Sequence, residues 1–161
     1  MPVFRKTAAL ISIAVAIVAG LTVPCLAADP VRLVEMPQTA GSLYTHGTEV
    51  SMGDRICEGW LSTGSPRPQF AVFALHGTYS RLTGWVGVPD DQRPGSDQPH
   101  EWSIKVDGRT VANGTAEPGD PAVRIDVDVT GAASLRVTLT QPGATDPNPS
   151  NNILTFSFQV P

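Results

Sequence analysis

The chain has 161 residues, with 15 acidic side chains against 11 Lys and Arg. This length is enough for one domain with a real core and too short for two. The Arg residues are scattered singly and form no basic patch, so the composition disfavours binding to nucleic acid or to an anionic membrane surface. A neutral, cationic or carbohydrate partner is more compatible with this charge.

The first 27 residues have the features of a secretory signal peptide. Arg5 and Lys6 form a basic segment, residues 8–23 form an almost unbroken apolar segment, and the small residues that follow permit cleavage after Ala27 or Ala28. Cleavage after Ala27 would leave 134 of the 161 residues, with nine basic and 15 acidic side chains. We therefore expect a secreted, extracellular and mildly acidic domain.

Two other interpretations of this segment are weaker. An uncleaved membrane anchor is disfavoured by the short apolar segment and by the break at Pro24. Lipid attachment at Cys25 is disfavoured because Pro24 precedes it and Thr22 stands where a Leu is preferred. Removal of Cys25 would leave Cys57 as the only thiol, so no intrachain disulfide could form. We expect Cys57 to be a half-buried structural residue rather than a catalytic thiol.

The segment that follows carries only weak strand signals. Residues 28–41 are predicted to form an extended leader, in which the apolar run 31–36 is either a first strand or a tether. The folded domain is expected over residues 42–161. Its first candidate strands are the weakly alternating residues 42–52 and the short apolar run 56–61.

Two apolar runs of strand length stand in the middle of the chain. They cover residues 70–75 and 82–88, and residues 76–81 between them have the composition of a turn. This spacing predicts a core hairpin. The second run ends at Pro89, which cannot extend a central strand, and a polar loop follows over residues 90–100. With three carboxylates and an Arg, this loop is the first candidate for a site.

The second half of the chain alternates clearly between apolar and polar residues. Residues 101–113 are predicted to form a hairpin around an Asp-Gly turn. Residues 123–129, 135–139 and 154–160 alternate with period two, which places one face of each strand on a core and the other in water. About nine short strands, with turns roughly every 8 to 12 residues, predict an all-β sandwich or jelly roll.

The acidic loop offers the oxygen ligands that calcium prefers. Asp90, Asp91 and Asp97, together with Gln92 and backbone carbonyls, could supply such a shell, although their spacing matches no EF-hand. The alternative is a solvated polar loop without a metal, which the sequence favours.

Among the three Trp residues, Trp60 is the best candidate for an exposed aromatic side chain. It follows Gly59 and lies next to a loop rich in Ser and Pro. An exposed indole is the kind of surface on which a sugar ring stacks its apolar C–H face. Trp85 lies within a candidate central strand and Trp102 alternates with Ile104, so both are expected in the core.

The sequence contains no motif typical of an enzyme. There is no Gly-x-Ser-x-Gly, no His-Glu-x-x-His and no phosphate-binding glycine loop, and the three His residues lack metal-ligand spacing. Asp90 with Asp91, or Asp126 with Asp128, could be proposed as the carboxylate pair of a glycosidase. Adjacent acids on an outward strand face are more often solvated than catalytic, so an enzyme is disfavoured.

Three segments carry a family resemblance. They read F-A-L-H-G-T-Y-S-R-L-T-G-W-V-G-V-P-D-D at residues 73–91, E-W-S-I-K-V-D-G-R-T-V at 101–111 and A-V-R-I-D-V-D-V-T-G-A-A-S-L-R-V-T-L at 122–139. In order and spacing they resemble the NPCBM family, a carbohydrate-binding module family described beside family 98 glycoside hydrolases. The resemblance covers about 100 of the mature residues.

The resemblance implies a galactose-binding-like β-sandwich, a secreted location, no catalysis and a glycan ligand, often one that contains galactose, with a structural calcium ion in some cases. On this basis we expect the loops at one end of the sandwich to bind the sugar. Trp60 would stack on the ring, and Asp90, Asp91 and Arg93 would hydrogen-bond its hydroxyls. The alternative is a cell-envelope or extracellular protein-interaction domain that keeps the fold without binding sugar.

Overall fold

The structure is a computed structural model that describes residues 30–53, 55–62, 67–90 and 99–140, apart from the Trp60 side chain, and the backbone of residues 153–159. The predicted signal peptide and most of the acidic loop lie outside these residues. The described chain forms eleven β-strands and one 3-10 turn, Leu33–Glu35, so the predicted all-β sandwich is confirmed with more strands than the nine expected. The strands are β1 (Val31–Arg32), β2 (Gln38–Gly41), β3 (Tyr44–Met52), β4 (Arg55–Ser62), β5 (Gln69–Ala74), β6 (Arg81–Gly87), β7 (His100–Val106), β8 (Arg109–Ala116), β9 (Val123–Asp128), β10 (Ser134–Thr140) and β11 (Ile153–Gln159).

The strands form two antiparallel sheets. The five-stranded sheet has the order β2-β5-β10-β7-β8. The six-stranded sheet has the order β3-β4-β11-β6-β9, and β1 pairs with β11 as its sixth strand. Most neighbouring strands are distant in sequence, which is the long-range pairing expected of a sandwich. Among the described residues, no helix is long and apolar enough to cross a membrane.

The prediction of a core hairpin from residues 70–75 and 82–88 is wrong. The first run forms β5 in the five-stranded sheet, and the second forms β6 in the other sheet. The connection between them crosses from one sheet to the other. At its start, the Leu75 amide donates to the Ala133 carbonyl and the Gly77 amide donates to the Ala132 carbonyl, each at 2.8 Å. These bonds hold the chain against the segment before β10, so β6 does not turn back onto β5.

The predicted hairpin around the Asp-Gly turn is confirmed by the pairing of β7 with β8. Asp107 and Gly108 both have positive φ, at 47° and 80°, as a two-residue hairpin turn that follows the sheet twist requires. The Asp107 carboxylate also accepts a hydrogen bond from the Ser134 amide at 2.8 Å. The turn is therefore fixed to the first residue of β10, the strand on the other side of β7.

The main core lies between the two sheets. Its fully buried side chains come from both sheets, and each stabilises the fold by roughly 1.5–3 kcal/mol before the entropy of ordering is counted. Leu33, in the segment predicted to be an extended leader, is 0% exposed and belongs to this core. Trp102 was predicted to be a core residue and is confirmed as one. The largest fully buried side chains include Phe73, Leu75, Leu82, Ile104 and Leu135.

A second and smaller apolar cluster is separate from the intersheet core. It consists of buried Val50, Met52 and Cys57, with Trp85 and Ala122 packed against them. Trp85 was predicted to lie in the core, but it is half-buried in this second cluster, and the Arg55 guanidinium covers its ring at 3.6 Å from the centroid. Cys57 was expected to be half-buried, but it is a buried free thiol that packs as a small apolar side chain.

Candidate functional site

The structure describes only part of the predicted loop site. Asp91, Arg93 and Asp97 lie outside the described residues, and only the backbone of Trp60 is described. Trp60 pairs with His46 in the β3–β4 ladder, whereas Asp90 meets the same hairpin at its turn. Ile56 pairs with Ser51 beside that turn, and Trp60 is four residues further along β4. Trp60 therefore lies about 13 Å along the strand from the position beside the turn.

Asp90 fixes the start of the acidic loop to the turn between β3 and β4. Its Oδ2 accepts a hydrogen bond from the Ser51 hydroxyl at 2.5 Å, and its Oδ1 accepts one from the Gly53 amide at 2.7 Å. The Asp90 amide donates to the Ser51 carbonyl at 3.0 Å. The Ser51 hydrogen bond, followed by that of Gly53, lowers the pKa of Asp90 because both favour the charged form. Asp90 therefore holds the hairpin turn, and each of its oxygens already accepts one hydrogen bond.

The proposed calcium ligands are only partly described, since Asp90 is the one member of the set within the described residues. Among those residues, no group of three or more His, Cys, Asp or Glu side chains could hold a metal ion. The carboxylate of Asp90 remains chemically suited to calcium, but its contacts with Ser51 and Gly53 already account for its place in the fold.

The carboxylates on β9 have the surroundings of surface ion pairs. Arg81 donates to both oxygens of Asp126, at 2.5 and 2.6 Å, and Arg124 lies 3.6 Å from the same carboxylate. The Arg81 hydrogen bond lowers the pKa of Asp126, and the Thr130 amide, which donates to Asp128 at 2.8 Å, lowers the pKa of Asp128. A general acid of a glycosidase needs a raised pKa, so this pair is unsuited to that role.

An open polar cleft, which the sequence did not predict, lies on the five-stranded sheet. It has a volume of about 420 Å³ and spans β7, β8 and β10. Trp102 and Gly114 form part of its wall. Six residues with polar side chains line the rest, and each is at least partly exposed: Glu101, Ser103, Asn113, Thr115, Thr138 and Thr140.

The register of the sheet explains why these six side chains meet. Thr140, Glu101 and Thr115 are direct neighbours across three strands, and Thr138, Ser103 and Asn113 form the next such row. The rows are two residues apart along each strand, so all six positions share one face. The alternation of the sequence had placed Thr138 and Thr140 on the outward side of their strand, but the pairing of β10 with β7 could not be read from it.

Two cations stand beside the cleft. Lys105 and Arg136 are direct neighbours in the row that follows Ser103 and Thr138. The Arg136 guanidinium lies over the Phe70 ring at 3.8 Å from the centroid, an arrangement in which the aromatic face stabilises the positive charge. Glu101 is the one charged residue among those that line the cleft.

His100 is a buried residue at the start of β7, and in the sequence it stands between the acidic loop and the cleft residue Glu101. It is only 3% exposed, and neither ring nitrogen has a hydrogen-bond partner among the described residues. Burial lowers the pKa of His100 to about 4, because the protonated ring would lose its hydration. The imidazole is therefore neutral at pH 7 and contributes to packing.

The fold matches that of solved carbohydrate-binding modules. The CBM51-2 and INT domains of Clostridium perfringens ZmpB, solved with GlcNAc, align over 83% of this chain with a TM-score of 0.68 and 14% identity. The CBM51 of a C. perfringens GH95, solved with methyl-galactose, aligns over 81% of this chain and 97% of its own, with a TM-score of 0.60 and 15% identity. The tandem CBM51 modules of a Streptococcus pneumoniae family 98 glycoside hydrolase align over 82% of this chain and 47% of theirs, with a TM-score of 0.64 and 10% identity.

These similarities define the class as a β-sandwich with the fold of carbohydrate-binding modules. The chain spans about a third, 32%, of the length of the ZmpB chain. Residues 61–151 match the family model of the NPCBM/NEW2 domain, which is more than half of the chain. The chain belongs to the NPCBM/NEW2 domain family, as the sequence motifs had predicted. No curated protein sequence matches it.

Proposed function

We propose that this protein is a secreted, non-catalytic carbohydrate-binding module. The observation that carries the proposal is the family match over residues 61–151, which runs from the end of β4 past the end of β10. It includes four of the five strands of one sheet, and β6 and β9 of the other. The shared fold with CBM51 modules over more than four-fifths of the chain supports the same function.

Neutral sugars are the ligand class that best suits the chain. The two similar modules named above were solved with GlcNAc and with methyl-galactose, both of which are uncharged. A chain with 15 acidic and 11 basic residues and no basic patch offers little attraction to polyanions. We therefore propose galactose-containing glycans first and N-acetylglucosamine-containing glycans second.

The predicted loop end is the first proposed binding position. Trp60 would stack on one sugar ring, and Asp91 and Arg93 would hydrogen-bond the hydroxyls of a neighbouring ring, because Trp60 lies about 13 Å along β4 from the turn that Asp90 contacts. Asp90 would contribute mainly by holding the loop against the β3–β4 turn, since Ser51 and Gly53 already occupy its oxygens. A calcium ion could add to this organisation through Asp90, Asp91 and Asp97.

Secretion is proposed from the N-terminal segment, and a non-catalytic role from the carboxylates that are described. The Asp126 and Asp128 pair lacks the raised pKa that a general acid needs.

Mass spectrometry of the protein, purified after expression of the complete chain, should give a mass that corresponds to cleavage after Ala27. An intact N-terminus in a protein exported by cells would contradict the signal peptide.

A glycan array, probed with and without calcium, tests the proposed function. We expect binding to galactose-containing or N-acetylglucosamine-containing glycans. Trp60→Ala should abolish binding at the loop end while it changes the free energy of unfolding by less than about 1 kcal/mol, as for an exposed side chain. No binding to galactose, N-acetylgalactosamine, N-acetylglucosamine or plant polysaccharide probes would contradict the proposal and favour a protein-interaction domain.

A further inference from the structure

We propose that the polar cleft across β7, β8 and β10 is a second glycan-binding surface, which takes a short stretch of a neutral sugar chain. This inference rests on the proposed function, because it assumes that the ligand is a carbohydrate. It assigns a position that is different from the loop end, since the cleft lies on the outer face of the five-stranded sheet, whereas Asp90 contacts the β3–β4 hairpin of the other sheet.

The six polar side chains of the cleft are free to bind a ligand. Within the described residues, none of them makes a side-chain hydrogen bond or an ion pair. The outer side of the six-stranded sheet is different, because there Arg81, Arg124 and Asp126 pair with one another. A threonine on a strand surface is common for reasons of propensity alone. A concave face whose carboxylate, amide and hydroxyl groups are all unpaired is less common and suits a polar ligand.

The size of the polar face fits a few sugar rings. Three strands spaced about 4.8 Å apart give rows about 10 Å wide, and the two rows lie about 7 Å apart along the strands. The volume of about 420 Å³ falls within the range of small-molecule sites, roughly 300–1,000 Å³. Because the cleft is open, it would contact one side of a sugar chain and not enclose a single sugar.

The chemistry of the cleft selects a neutral polyhydroxylated ligand. Glu101 can accept hydrogen bonds, Asn113 can both donate and accept, and each Ser or Thr hydroxyl can do either. Neighbouring sugar hydroxyls offer the same mixture of donors and acceptors. Glu101, inside the cleft, opposes the attraction that Lys105 and Arg136 in the next row would exert on an anionic ligand. The polar lining gives an apolar peptide or lipid chain little to pack against.

The affinity should be low and should rise with chain length. Trp102, the one aromatic residue in the wall, is 93% buried, so it presents little surface for stacking on a sugar ring. Binding would depend on hydrogen bonds that compete with water, each of which adds only a small net gain. A longer oligosaccharide would engage both rows of side chains, whereas a monosaccharide would reach fewer of them.

The test uses the purified chain and four neutral probes: methyl-galactoside, N-acetylglucosamine, cellohexaose and xylohexaose. The double variant Thr138→Val/Thr140→Val removes two hydroxyls from the cleft and keeps the shape and the strand propensity of both side chains. Thr110→Val is the matched control, because Thr110 is an exposed threonine of β8 that does not line the cleft. Trp60→Ala measures how much of the binding depends on the site proposed at the loop end. Thermal unfolding of each variant checks that the fold is retained.

We expect the double variant to bind at least one hexasaccharide roughly fivefold or more weakly than the wild type, and Thr110→Val to bind it unchanged. Unchanged binding by the double variant, together with loss of binding in Trp60→Ala, would overturn the proposal that the cleft binds glycan. The proposed function would still stand. Absence of binding to all four probes by the wild type, and to every glycan of the array, would overturn both.

Discussion

The Ser51 hydroxyl donates a hydrogen bond of 2.5 Å to the Asp90 carboxylate. This bond joins the start of the acidic loop, just after β6, to the end of β3 beside the β3–β4 turn. The Gly53 amide completes the contact. Asp90 is the first of the two acids that end the family-like segment 73–91, and its contacts with Ser51 and Gly53 give it a structural role. The second residue, Asp91, then becomes the stronger candidate for ligand contact.

Replacement of Asp90 by Ala should lower the free energy of unfolding at pH 7 by about 1 kcal/mol, because the Ser51 and Gly53 donors lose an exposed acceptor. The folded pKa of Asp90 is lowered, so its contribution is complete above the unfolded value of 3.8 and is lost as the pH falls through the folded value. Urea unfolding at pH 7 and pH 3 measures this. Glu117→Gln, at an exposed acid after β8, is the control and should change little; equal effects of both variants would contradict the contact.

Stability should fall as the pH is lowered from 7 towards 4, and His100 should account for much of this change. The folded pKa of about 4 lies below the ordinary histidine pKa of 6.5, so the ring is neutral in both states above pH 6.5. Below that pH the unfolded chain binds a proton that the folded chain does not, and stability is lost until the folded pKa is reached. The total loss should be about 2 kcal/mol, since partial solvation of the protonated ring offsets part of the full cost.

The pH series of urea unfolding should be repeated for His100→Leu, which should flatten the dependence between pH 6.5 and pH 4. His76→Asn is the control, because His76 is exposed and has a φ of 51°, which Asn tolerates. Half-buried His46, whose pKa burial also lowers, should leave a small residual slope in His100→Leu. An unchanged slope in that variant would show that His100 is not buried as described.

Replacement of Gly114 by Ala should destabilise the sandwich by roughly 1–3 kcal/mol, as overpacking does. A Cβ at this position would lie 3.0 Å from Cζ2 and 3.2 Å from Cε2 of Trp102, so the buried ring would have to move. Thermal unfolding followed by Trp fluorescence measures both the stability and the displacement of the ring. Gly47→Ala is the control, because no atom lies within 4 Å of its Cβ position. Equal thermal midpoints for the two variants would contradict the packing of Trp102 on Gly114.

The sequence predicted much of the second half of the fold because β7, β9 and β10 each place one face on the core. Residues 101–113 formed their hairpin because Asp107 and Gly108 adopt the positive φ that the turn needs. The alternation of 123–129 was confirmed for Ile125 and Val129, which are buried, whereas Val123 at an edge strand is 42% exposed. A period of two shows which residues share a face but not whether that face is fully covered.

The topology of the first half was not predictable in the same way. The six residues between β5 and β6 have a turn composition that serves equally for a hairpin within one sheet and for a crossing between two sheets. Hydrogen bonds from Leu75 and Gly77 to the distant residues Ala133 and Ala132 decide between them. For the same reason the polar cleft was not predicted, because it combines residues 101–103 and 113–115 with residues 138 and 140 through strand pairings that no local pattern encodes.

The most direct test of the central claim, that this member of the NPCBM/NEW2 family binds carbohydrate, is a titration of the isotopically labelled chain with methyl-galactoside and N-acetylglucosamine, followed by NMR. We predict saturable shifts, confined to the amides near Trp60 and Asp90 and to those of β7, β8 and β10. No shift for either sugar at concentrations on the order of 10 mM, where even weak sites of millimolar affinity would be occupied, would contradict the claim.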